Sequence, residues 1–126
     1  MAALAGPFLS AQSTVVRGKL SAGKKLTTSA GDITLRGDEP IRLVLEDERI
    51  FGMDFEASGK SDGKGGFDID PIHTKPMWVY VGGKRLQVSY WCDICYIRTY
   101  SPGKCWCCQE YTKFDPKDPA TPERQP

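Results

Sequence analysis

All five cysteines of this 126-residue chain lie between Cys92 and Cys108, inside the stretch YWCDICYIRTYSPGKCWCCQEYTKF at 90–114. Cys92 and Cys95 are two residues apart, as are Cys105 and Cys108, and nine residues separate the pairs, giving C-x2-C-x9-C-x2-C. Paired C-x2-C units suit a tetrahedral four-thiolate site. A tight turn aims two sulfurs at one ion about 2.3 Å away and directs its own amides at them, and two facing turns complete the cage. Cys92, Cys95, Cys105 and Cys108 are therefore the candidate metal ligands. Four thiolates suit zinc, with iron the other metal that fits. Cys107 is surplus, because adjacent cysteines ligate one ion poorly, and it reads as an accessory free thiol. Two other chemistries compete. In an oxidising compartment five cysteines give two disulfides and a remainder. A C-x2-C pair can also do thiol redox chemistry, but that needs its first cysteine at a helix N-terminus to lower the pKa, and here the context reads as strand and turn. The spacing ranks the metal site first.

The rest of the chain offers little competing chemistry. His73 is the only histidine. It could join the metal site or act as a base beside Asp70, but one histidine does not make a catalytic metal cluster. Asp62, Asp68 and Asp70 lack the alternating order of a calcium loop. Lys84, Arg85, Tyr90 and Trp91 could clamp and stack single-stranded nucleic acid. With 17 basic against 16 acidic residues and a net charge of +1, the electrostatics disfavour that partner. No nucleophile elbow or dinucleotide fingerprint occurs, and no apolar run reaches the roughly 20 residues of a membrane helix. A protein partner remains open.

The elements that would position the cysteines are mainly β. TVVRGKLS and the two runs around Ala30-Gly31-Asp32 read as strands with turns between them. Asp38 is a candidate helix N-cap with Pro40 in the first turn, and the helical segment runs up to Gly52. MDFEASGK alternates Met53, Phe55 and Ala57 against a wet face of Asp54, Glu56 and Ser58. Phe67 and Ile69 resume the alternation, and Pro71 and Pro76 bracket an extended edge segment. MWVYVGGKRLQVSYW is a hairpin turning at Gly82-Gly83. Strands, one short helix and glycine-rich turns in this order suggest a small OB-like β-barrel over 14–91, with an SH3-like barrel or a sandwich as the alternative. Residues 92–114 then form a cysteine-rich metal-binding hairpin in which Pro102-Gly103 reverses the chain. Residues 115–126, with four prolines and alternating charges, read as a disordered tail. Residues 1–13 read as a flexible tail or the remnant of an export signal, which favours a periplasmic or secreted location over the cytoplasm.

The cluster resembles a compact zinc ribbon, and its paired motif and flanking aromatics are similar to those of rubredoxin. It departs from the ribbon in its short linker and in the absence of a glycine after each pair: Tyr96 follows Cys95 and Gln109 follows Cys108. From Asp70-Pro71-Ile72-His73-Thr74 through Gln109-Glu110 the chain resembles small uncharacterised bacterial proteins, often exported, with a β-barrel region and a YWCDIC…GKCxCCQE tail. That resemblance implies a bacterial source and no particular activity. The expectation is a non-enzymatic zinc-binding β-domain, structural or interactive. The alternatives are an electron-transfer or thiol-redox protein and an OB-type binder of single-stranded nucleic acid or oligosaccharide.

Overall fold

The computed structural model describes residues 13–125. The segment read as an N-terminal tail or export remnant lies, apart from Ser13, outside them. Strands β1 (Thr14–Ser21), β2 (Lys25–Thr28) and β3 (Gly31–Arg36) form an antiparallel meander. Helix α1 (Glu39–Leu45) leads to β4 (Asp54–Ser61) and β5 (Gly66–Ile69), which pair as a hairpin. A second hairpin, β6 (Met77–Val81) and β7 (Lys84–Gln87), turns at Gly82-Gly83, both at positive φ. Then come β8 (Tyr90–Cys92), β9 (Ile97–Thr99) and β10 (Lys113–Phe114), a small sheet in the order β10-β8-β9.

Two pairings convert the meander into a barrel. β5 runs parallel to β3, and β1 pairs with β4 from Thr14 to Lys19. The ring β1-β2-β3-β5-β4 closes as a five-stranded barrel, and β6 and β7 extend outward from β4. A small barrel with one helix between its third and fourth strands is what the order of elements led us to expect. Closure needs two glycines. A Cβ on Gly18 would run into the carbonyl of Thr27, and one on Gly59 into the carbonyl of Asp68.

Alternate strand positions fill the barrel. Leu20, Leu26, Leu35, Phe55, Phe67 and Val79 are at most 1% exposed, and side chains of this kind contribute roughly 1.5–3 kcal/mol each on full burial. α1 adds Ile41, Val44 and Leu45, the i, i+3, i+4 stripe of an amphipathic helix. Asp38 caps that helix by accepting the Ile41 amide at 3.0 Å, and its other oxygen accepts the Ile72 amide at 3.1 Å. The helix ends at Leu45, earlier than the segment up to Gly52 suggested. Asp47 caps a separate 3-10 turn, Glu48–Ile50, because its carboxylate takes the Arg49 amide at 3.1 Å.

Three local expectations are corrected. The segment between Pro71 and Pro76 is not extended: Ile72–Thr74 is a 3-10 turn, closed by bonds from the Thr74 amide and hydroxyl to the Pro71 carbonyl. Glu56 does not face water. It is 7% exposed and accepts the Tyr80 hydroxyl at 2.5 Å and Arg85 Nη2 at 2.7 Å. Residues 115–125 are not a disordered tail but a strap laid on the sheet. Asp115 donates its amide to the Ser89 carbonyl, and Lys117 and Gln87 exchange both main-chain bonds at 2.8 and 3.0 Å. Polar composition misled because one buried side chain collects the strap. Arg98, 8% exposed, gives Nε and Nη2 to the two oxygens of Glu123, each at 2.7 Å, and Nη1 to Ser89 Oγ and the Asp115 carbonyl. A fork-to-fork pair of this kind is among the strong charge-assisted contacts.

Candidate metal centre

The four candidate sulfurs, from Cys92, Cys95, Cys105 and Cys108, all lie within 4.8 Å of one another. In a tetrahedron with metal–sulfur bonds of about 2.3 Å the sulfurs stand about 3.8 Å apart. Cys92 Sγ and Cys108 Sγ are 3.5 Å apart, near that spacing and far beyond the roughly 2.05 Å of a disulfide. All five cysteines are free thiols.

Two similar turns build the cage. β8 delivers Cys92 to the first, which ends when the Tyr96 amide bonds the Cys92 carbonyl at 2.9 Å. In the second, the Gln109 amide bonds the Cys105 carbonyl, also at 2.9 Å. Within each turn an amide points at the leading sulfur: Cys95 N–H to Cys92 Sγ and Cys107 N–H to Cys105 Sγ, both 3.4 Å. Each turn leaves its cysteine pair through a left-handed residue, Tyr96 at φ 55° and Gln109 at φ 69°. These are the two places where glycine was missed in the sequence. The backbone demands a positive φ there, and Tyr96 and Gln109 adopt it despite a cost of about 1–2 kcal/mol each. The two departures from the ribbon pattern thus mark the turn geometry itself.

The second turn is braced from below. Cys105 donates its amide to the Glu110 carbonyl at 2.7 Å, Lys104 bridges Tyr111, and Thr112 gives both amide and hydroxyl to the Gly103 carbonyl. Gly103, at φ 140°, takes part in the reversal expected of Pro102-Gly103. The inner ligands Cys92 and Cys105 are buried, Cys95 and Cys108 are half-buried, and Cys107 is exposed. Cys107 is not among the four clustered ligands.

The electrostatics favour a cation. Donation from the amides of Cys108 and Cys107 lowers the Cys105 thiol to about 7, against the opposing effect of burial. The Cys95 thiol is pushed up, first by Cys107 and then by burial and by Cys108. One thiolate is thus provided for, but a second charge about 4 Å away costs on the order of 4 kcal/mol at an effective dielectric of 20. Only a bound cation can hold all four ionised together. Among the nearby bases, Lys113 pairs with Asp93 in the first turn, Lys104 lies 5.6 Å over the Tyr111 ring, and Arg98 faces the strap. None of these side-chain contacts is with a sulfur.

The other candidates stand apart. His73 is exposed in its 3-10 turn and does not belong to the cluster, and Asp70 accepts from Ser13 and Ser58. Asp62 serves the Lys64 and Gly66 amides and Arg36, while Asp68 pairs with Arg36. Tyr90 and Trp91 are at most 2% exposed, so they cannot stack bases, and Arg85 is committed to Glu56. Among the described residues no helix is long and apolar enough to cross a membrane.

No protein-family model, curated protein or solved structure matches the chain.

Proposed function

We propose that this protein is a zinc-binding β-barrel module of OB type, non-enzymatic, whose cysteine-rich hairpin is fastened to the barrel by a tetrathiolate ion. The observation that carries the reading is the cage itself: four sulfurs within 4.8 Å, supplied by two turns of similar design. The OB assignment is supported by the ring order β1-β2-β3-β5-β4, the parallel β3–β5 pairing and the helix between β3 and β4. A four-thiolate site leaves no open coordination position for water or substrate, so its role is structural. Zinc there supplies folding free energy to a segment with little core of its own. Trp106 and Tyr111, 72% and 75% exposed beside the site, are then presented on a firm base for a protein partner.

Elemental analysis combined with thiol titration tests this. One zinc per chain is expected, with Cys107 alone reactive in the native protein and all five thiols reactive once it is denatured with chelator. A red iron tetrathiolate spectrum would move the reading to electron transfer. Thiols that appear only after reduction would replace the cage with disulfides.

A further inference from the structure

The strap does not cover the whole edge of the sheet. β10 pairs with β8 as Lys113 with Trp91 and Phe114 with Tyr90, and the same register runs on through Asp115 opposite Ser89 and Lys117 opposite Gln87. The next main-chain bonds would fall between residue 119 and Arg85. Position 119 is a proline, which has no N–H to give. There the strap turns away, with the Thr121 amide bonded to the Asp118 carbonyl and the Ala120 amide to the Asp118 side chain. Gln87 aims its N–H and C=O at the strap, so strand alternation aims those of Arg85 to the same side. Among the described residues β7 is the last strand of its sheet, and none of them pairs with its edge at Arg85, the kind of edge to which an extended chain adds.

A cavity of about 330 Å³ lies at this opening, between Lys84 and Leu86 on the strand and residues 115–118 and 121–124 of the strap. This is the lower end of the size range of ligand pockets, roughly 300–1,000 Å³. Its lining carries Lys84, Arg98, Lys117 and Arg124 against Asp115, Asp118 and Glu123, four cations to three carboxylates. The surplus is local to Lys117. Among the described residues its ammonium donates only to main-chain oxygens, those of Asp118 and Thr121, while Lys84, Arg98 and Arg124 each have a carboxylate partner.

We propose that this groove binds a short, extended, acidic segment of a partner protein, added as a strand to the Lys84–Leu86 edge of β7. Main-chain bonds to Arg85 would give affinity and register, Leu86 would take an apolar side chain, and Lys117 would select a carboxylate. This mode of recognition needs only a free edge and side-chain pockets beside it. None of the groove residues is a candidate metal ligand; the groove needs the hairpin folded, because Arg98 ties down the strap, but it does not need zinc in particular, so iron or disulfides in place of zinc would leave it standing.

A fluorescein-labelled peptide of alternating valine and glutamate tests the proposal, with a valine–lysine peptide of equal length as control. Saturable binding of the glutamate peptide alone is expected, together with slowed hydrogen exchange at the Arg85 amide. The substitution Lys117→Gln, which removes the ammonium charge and leaves an N–H donor at the position, should weaken binding at least tenfold. Equal binding of both peptides, no saturable binding at millimolar peptide, or an Arg85 amide whose exchange is unchanged would overturn it.

Discussion

The barrel and the cysteine hairpin are built on opposite principles. The main hydrophobic cluster runs from Leu20 to Tyr90, with helix α1 closing it. Between Trp91 and Thr112 the buried residues are Trp91, Cys92, Cys105 and Thr112, joined by the Arg98 side chain that holds the strap. The same short stretch holds Ile94, Tyr96, Trp106 and Tyr111, four of the seven large apolar side chains left exposed among the described residues. The barrel removes apolar surface from water, which is non-directional and tolerant of detail. The hairpin spends its backbone on aiming sulfurs, which tolerates neither a lost ligand nor a shifted turn. On the proposed zinc reading, the difference is one between a fold that persists by itself and one conditional on a ligand.

Perturbing the ligand should separate the two most sharply. Cys105→Ser should abolish stoichiometric metal binding and disorder residues 92–112, while the barrel keeps its far-ultraviolet circular dichroism. Full metal stoichiometry in the variant would break the cage assignment. Phe55→Ala, in contrast, should cost about 3–5 kcal/mol in chemical denaturation and lower the stability of the whole chain, hairpin included. A smaller effect belongs to the seam between the regions. Asp47 accepts the Tyr90 hydroxyl at 2.9 Å and pairs with Arg49. Burial would raise its pKa, but Arg49 and Tyr90 outweigh that and hold it below the ordinary value. A depressed carboxylate stabilises the fold above its unfolded pKa of about 3.9 and loses that stabilisation as pH falls through its folded value. Asp47→Asn should therefore cost about 1–3 kcal/mol at neutral pH and flatten the fall in stability below pH 4. The smallest expected change is a gain. Tyr96→Gly or Gln109→Gly should relieve left-handed strain and stabilise the metal-bound hairpin by about 1 kcal/mol, read as slower zinc transfer to a chelator. A loss at either position would mean that the side chain, not the backbone, matters there.

The sequence disclosed what is decided locally. The Asp38 cap, the Gly82-Gly83 turn and the paired cysteines each announce themselves within a few residues, and all three are met in the structure. What stayed hidden depends on distant partners. Glu56 alternates with apolar neighbours and so reads as solvent-facing, but Tyr80 and Arg85 from the next hairpin bury it. The segment after Phe114 has the composition of a disordered tail, yet Arg98, 25 residues before Glu123, ties it down. Between Pro71 and Pro76 the prolines suggested extension, and the bond to Asp38, 34 residues earlier, helps hold a 3-10 turn instead. Tyr96 and Gln109 were hidden for another reason: glycine advertises a positive φ, and a residue forced into it does not.

Hydrogen exchange with zinc bound and after chelation tests the two-principle account most directly. The account predicts that protection collapses across residues 92–112 on metal removal and holds through the strands from β1 to β7. Unchanged protection in the hairpin, or a loss spread evenly over the chain, would contradict it.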